Sequence, residues 1–149
     1  MLYVAIAILV VVIIAAIIVL PALGKKSKPR YQQFGNAITM DSSFVRDKWA
    51  EIENLIALGG ASQLKNAIME ADKLVDYALK SKGVAGETMG ERLKNAKQKF
   101  PNYSDYDNLW FAHKVRNNIA HEAGHDLVTT EVKRAIESFK KALKTLGAL

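Results

Sequence analysis

The stretch LYVAIAILVVVIIAAIIVLPAL, residues 2–23, contains no charged side chain. At 1.5 Å per residue a helix of this length spans about 30 Å, enough to cross the hydrocarbon core of a bilayer. A cleaved signal peptide would instead carry a basic flank and an apolar run of only about 7–15 residues. Here the run is longer and nothing basic precedes it, although Ala22-Leu23-Gly24 resembles a cleavage site. The expectation is an uncleaved transmembrane anchor over 1–23, with membrane lipid as its partner. GKKSKPR follows at once and packs Lys25, Lys26, Lys28 and Arg30 together. The positive-inside rule keeps that end cytoplasmic, which predicts a single-pass cell membrane protein with its N-terminus outside. The basic run reads as this topology signal ahead of specific capture of an anionic lipid.

The remaining chain has room for one domain. There is no cysteine, which removes disulfide frameworks and thiolate metal sites from consideration. Lys and Arg number 21 against 15 acids, a net charge of +6, and no charge precedes Lys25. The surplus leans toward anionic partners such as RNA or lipid headgroups.

Residues 24–40 read as a basic juxtamembrane tether with Pro29, Gly35 and no periodicity. Residues 41–149 read as helix, repeatedly, without a convincing strand. A first helix is capped at Asp41 to Ser43 and buries Val45, Trp49, Ile52, Leu55 and Ile56, until Gly59-Gly60 ends it. A second runs from about Ser62 to Lys82 with Leu64, Ile68, Ala71, Leu74, Val75 and Leu79 on one side, and Gly83 stops it. Thr88-Met89-Gly90-Glu91 forms a capping box that opens a short helix carrying Leu93, Ala96 and Phe100. A fourth helix begins near Ser104 or Asp105 and holds LWFAHKVRNNIAHE. The last starts after Thr129 or Thr130 and shows the cleanest stripe: Val132, Ala135, Ile136, Phe139, Leu143 and Leu146. The predicted fold class is all-α, a transmembrane helix followed by an antiparallel bundle of four or five helices.

Two chemistries overlap in RNNIAHEAGH, residues 116–125. His121-Glu122-Ala123-Gly124-His125 fits the zinc-protease pattern H-E-x-x-H, which needs both imidazoles one helical turn apart. The β-branched run after Asp126 argues that the helix stops near Ala123 or Gly124. A third metal ligand is also required, and the metzincin continuation would put Gly at 128 and His at 131, where the chain has Val128 and Glu131. HEAGH is similar to the zinc motif of membrane-bound ATP-dependent proteases, but those place it in a much larger helical domain beside an ATPase module. No metal and no cofactor is therefore expected.

The other chemistry is Arg116, four intervening residues, and His121. RNA is cleaved without metal when a base takes the 2′-OH proton and a cation stabilises the phosphorane, roles that suit His and an always-charged Arg. The spacing alone is a weak signal. Its placement raises it: Arg116-Asn117 begins the motif near the end of a helix, in an all-helical domain, with one strong amphipathic helix to follow. LWFAHKVRNNIAHE, a loop and a closing helix resemble the C-terminal half of the HEPN superfamily, specifically over about residues 105–146 and only generically over 41–100.

The resemblance implies a helical bundle that forms a homodimer, with two Arg–His motifs meeting in a cleft and RNA or nucleotide bound there. Arg116, His121 and Asn117 would be the catalytic residues of a metal-independent endoribonuclease. Residues 116 and 121 lie about 140° apart around a helix, so a second chain would supply the missing half. His113, Asn117 and His121 share a stripe at i, i+4, i+8 that would line such a cleft. Structural readings stand beside these: His121 as a helix-end cap, Arg116 paired with an acid, and His113 as a hydrogen-bonded core residue. The alternative function is a non-catalytic interaction module that holds an unidentified protein partner at the cytoplasmic face of the membrane.

Overall fold

In the computed structural model the described residues are 39–121 and 129–149, and they form five α-helices, a 3₁₀ turn and no strand. Residues 1–23, most of the tether, and Glu122 to Val128 lie outside the described residues. The anchor expectation and most of HEAGH fall there. Among the described residues no helix is long and apolar enough to cross a membrane.

Helix α1 (Ser42–Leu58) starts where expected, because the Asp41 carboxylate accepts from the backbone N–H groups of Ser43 (2.9 Å) and Phe44 (3.0 Å). It ends on Gly59 (φ 68°), and Gly60 (φ 83°) turns directly into α2 (Ala61–Ser81). Two consecutive positive φ values are cheap only for glycine, so Gly59-Gly60 specifies a tight helical hairpin. Val45, Trp49 and Ile52 are buried, while Leu55 and Ile56 are only half-covered.

Helix α2 meets four other helices with one broad stripe. It contacts α1 and α5 (Thr129–Thr145) extensively, and α4 (Tyr103–His121) and α3 (Met89–Asn95) more lightly. Ala67, Ala71 and Ala78 are all fully buried on it, together with Leu64, Ile68, Val75 and Leu79. Its buried positions from Leu64 to Leu79 fall within roughly 160° of the helix circumference, a broad stripe facing the core, and the alanines let neighbouring helices approach.

The capping box at α3 forms in full: Thr88 Oγ1 accepts from Glu91 N–H (3.2 Å) and the Glu91 carboxylate accepts from Thr88 N–H (3.2 Å). The single short helix expected through Phe100 divides instead into α3 and the 3₁₀ turn Lys97–Lys99. Arg92 was not expected inside, yet it is buried. Its Nε meets Asp76 of α2 and its guanidinium donates to the carbonyls of Gly86 and Glu87, which ties the preceding loop down. Helix α4 begins at Tyr103, slightly before Ser104, because the Asn102 side-chain oxygen accepts from Ser104 N–H (2.9 Å).

Helix α5 buries Val132, Ala135, Ile136, Phe139, Leu143 and the following Leu146, the stripe read from the sequence. Each large apolar side chain so buried contributes roughly 1.5–3 kcal/mol. Lys141 pairs with Asp105 (2.7 Å), and the Arg134 guanidinium lies 4.4 Å from the Phe111 ring centroid. Later α5 residues thus meet earlier α4 residues, and the two helices run antiparallel. The described residues are an all-α bundle in which α2 and α5 carry half of the buried apolar residues.

Candidate functional site

Halfway along α2, a carboxylate sits where the stripe calls for an apolar side chain. Asp72 follows Ile68 by one turn and adjoins Ala71, and only 4% of its surface is exposed. Burying a carboxylate is costly unless charge and hydrogen bonds meet it. Helix α4 meets it with two side chains. His113 Nδ1 lies 2.8 Å from Asp72 Oδ1, and Arg116 Nε lies 3.3 Å from Oδ2. The second contact is an ion pair without hydrogen-bond geometry, since Arg116 Nε finds no acceptor in line.

The spacing on α4 explains the convergence. His113 and Arg116 are three residues apart, hence neighbours on one helix face, and Asn117 follows His113 by four. Asn117 then closes the circuit. Its Nδ2 lies 3.1 Å from His113 Nε2, and its Oδ1 accepts from Arg116 Nη1 at 2.9 Å. Asp72, His113, Asn117 and Arg116 form a closed ring of four side chains. His113 is 8% exposed and the Arg116 side chain 23%, so the ring runs from the core to the surface. Trp110 stands edge-on to His113, with 6.2 Å between ring centroids. Gly90 of α3 passes the same imidazole: a methyl group there would stand 3.8 Å from Nε2.

One tautomer satisfies the whole ring. A proton on His113 Nδ1 serves Asp72, which leaves Nε2 to accept from the Asn117 amide, and the amide oxygen is then turned toward Arg116. This assignment follows from the hydrogen-bond pattern.

Of the three residues read as catalytic, the structure brings Arg116 and Asn117 together and leaves His121 apart. His121 is exposed at the last described position of α4 and takes no part in the ring. The stripe of His113, Asn117 and His121 is realised in its first pair only. The reading of Arg116 paired with an acid and of His113 as a hydrogen-bonded buried residue both hold. Asp72 was missed. Its signal was present in the sequence, as an acid inside the apolar spacing of IMEADKLVDYAL.

The other basic groups are spent in varied ways. Lys94, Lys97, Lys99 and Lys144 are exposed. Lys140 pairs with Glu53 of α1 at 2.6 Å, and the Trp49 indole donates to the same carboxylate at 2.8 Å. The Lys140 hydrogen bond first, then that of Trp49, holds Glu53 below the usual carboxylate range, and Glu53 in turn raises Lys140. Trp49 is therefore a buried core residue with a satisfied indole. Among the described residues no cluster of three or more His, Asp or Glu is placed to hold a metal ion. Compared with protein-family models, curated proteins and solved structures, the chain matches none.

Proposed function

We propose that this chain is a membrane-tethered, HEPN-like domain that binds RNA through Arg116 and Asn117. The observation that carries the reading is the Arg116–Asn117 hydrogen bond on a buried base of Asp72 and His113. A guanidinium offers five N–H donors. Nε faces Asp72 in an ion pair and one Nη1 hydrogen is committed to Asn117, while Nη2 makes no hydrogen bond among the described residues. A half-buried, oriented Arg with its outer edge available suits a phosphate oxygen.

Cleavage extends this reading. His121 of a second copy takes the 2′-OH proton, the 2′-oxygen attacks phosphorus, and Arg116 stabilises the charge that develops on the phosphoryl oxygens. The 5′-oxygen leaves with a proton taken from water, and a 2′,3′-cyclic phosphate remains. DNA lacks the nucleophile and is spared.

A second reading is favoured by Asp72 itself. Its carboxylate balances the Arg116 charge, as it would in a ring whose task is to lock α2 to α4 within a non-catalytic interaction module. Purified full-length chain in detergent micelles, incubated with labelled single-stranded RNA in EDTA, separates the two. The nuclease reading requires cyclic-phosphate products from the wild type and none from Arg116→Ala or His121→Ala. A well-folded wild type that neither binds nor cleaves RNA leaves the interaction module.

A further inference from the structure

The geometry points to Asp72 and His113 as positioning residues for the Arg116 phosphate subsite, a role that rests on the RNA-binding reading. Neither residue belongs to the Arg–His motif, and neither needs to touch RNA. They act through Asn117. In the neutral imidazole whose proton sits on Nδ1 and is given to Asp72, Nε2 is the acceptor. An acceptor at Nε2 selects the amide orientation in which Asn117 Nδ2 faces the imidazole. That orientation aims the Asn117 oxygen at Arg116 Nη1, while Asp72 Oδ2 holds Nε from the other side. The guanidinium is thus held at two points, by a hydrogen bond at Nη1 and by an ion pair without hydrogen-bond geometry at Nε. Its remaining three N–H groups, one on Nη1 and two on Nη2, form the fork that pairs with two oxygens of one phosphate.

Two physical effects of Asp72 on such a subsite oppose each other. As a negative charge beside Arg116 it weakens attraction for an anion. As the origin of the hydrogen-bond relay it removes the rotamer entropy that a long cation otherwise loses on binding, and fixes the plane in which two oxygens are recognised. With 23% of the Arg116 side chain exposed, the charge effect is screened in part by water and salt. The orientation effect is not, so orientation wins and Asp72 strengthens binding.

The sign of one substitution tests this. Full-length chain in micelles, labelled with ¹⁵N at arginine, is titrated with a short single-stranded oligouridylate, and binding is followed by fluorescence anisotropy and by the Arg116 Nε–H resonance. That resonance is assigned through its loss in Arg116→Lys. Asp72→Asn removes a negative charge yet should weaken binding about tenfold or more, the scale of one charge-assisted hydrogen bond. The RNA-induced shift of the Arg116 Nε–H signal should vanish with it, at temperatures well below unfolding. His113→Gln and Asn117→Leu keep the Asp72 charge and should weaken binding in the same direction. They also serve if Asp72→Asn does not fold. Equal or tighter binding by folded Asp72→Asn, or unchanged binding by the other two, overturns the positioning role and leaves RNA binding standing. A wild type that binds no oligouridylate overturns RNA binding, and the positioning role with it.

Discussion

Asp72 and His113 are 41 residues apart in the chain, on helices joined only through α3 and two loops, and their side chains meet at 2.8 Å. This one contact decides what the polar residues of α4 can do. It commits Nδ1, leaves Nε2 to Asn117, and links the Arg-Asn pair at the surface to the core of α2.

Stability should therefore separate the ring from the rest of the motif. Asp72→Ala leaves His113 without its acceptor and Arg116 without its counter-charge. The expected loss is about 2–3 kcal/mol, below that of a fully buried ion pair because Arg116 is half-exposed. His121→Ala, at an exposed helix end, should change stability by less than about 0.5 kcal/mol. Urea unfolding of full-length chain in micelles, followed by circular dichroism, measures both. Equal effects of the two would show that the ring contributes nothing beyond the surface.

The motif makes a separate prediction about assembly. If Arg116 and His121 act on one phosphate across two copies, mixing inactive Arg116→Ala with inactive His121→Ala should restore part of the cleavage. A heterodimer that gathers both defects in one composite site leaves the other intact. No recovery from mixed and re-equilibrated chains would remove the shared-site mechanism.

Acid and alkali should each weaken the tie between α1 and α5. Glu53 is held below the ordinary Glu value of 4.5, chiefly by its hydrogen bond to Lys140, so its contribution is present above that pH and is lost as pH falls through the lowered folded value. Lys140 is raised above 10.5 by the same hydrogen bond. Its contribution is present below 10.5 and disappears as pH rises through the raised value. Between those limits the pair is intact and weakened by salt. Lys140→Met should flatten the acid limb of the pH–stability profile near 4.5. An unaltered acid limb would show that Glu53 does not depend on Lys140.

Topology can be read with a single thiol, because the chain has no cysteine of its own. Ser62 is exposed at the start of α2. Ser62→Cys should resist a membrane-impermeant thiol reagent in intact cells and react after permeabilisation. Labelling in intact cells would put the bundle outside, away from cytoplasmic RNA.

Much of the bundle was legible because its signals are local. An Asp41 side chain reaches N–H groups two and three residues ahead, Thr88 and Glu91 cap each other across one turn, and Gly59-Gly60 accepts a backbone that other residues resist. Apolar side chains three and four apart must share a face, so the stripe of α5 from Val132 to Leu146 was readable without knowing what it would pack against. The cap of α4 was out of reach, since Asn102, Ser104 and Asp105 all offer a side-chain oxygen that can accept from an N–H of the first turn.

The site was legible only in half, for the converse reason. Arg116 and Asn117 are neighbours in the chain, and their mutual hydrogen bond is local. Which histidine they join is not. His121 lies about 140° from Arg116 and His113 about 60° from it, so helix geometry alone favoured His113, while the motif favoured His121. The rotation of α4 against α2 selected among them. Sequence by itself determined most of the helices, the caps of α1 and α3 and the apolar faces, because those depend on residues within about four positions of one another. Only the tertiary structure could bring a carboxylate from α2 to an imidazole and a guanidinium on α4, because that pairing depends on how two distant helices pack across a shared core.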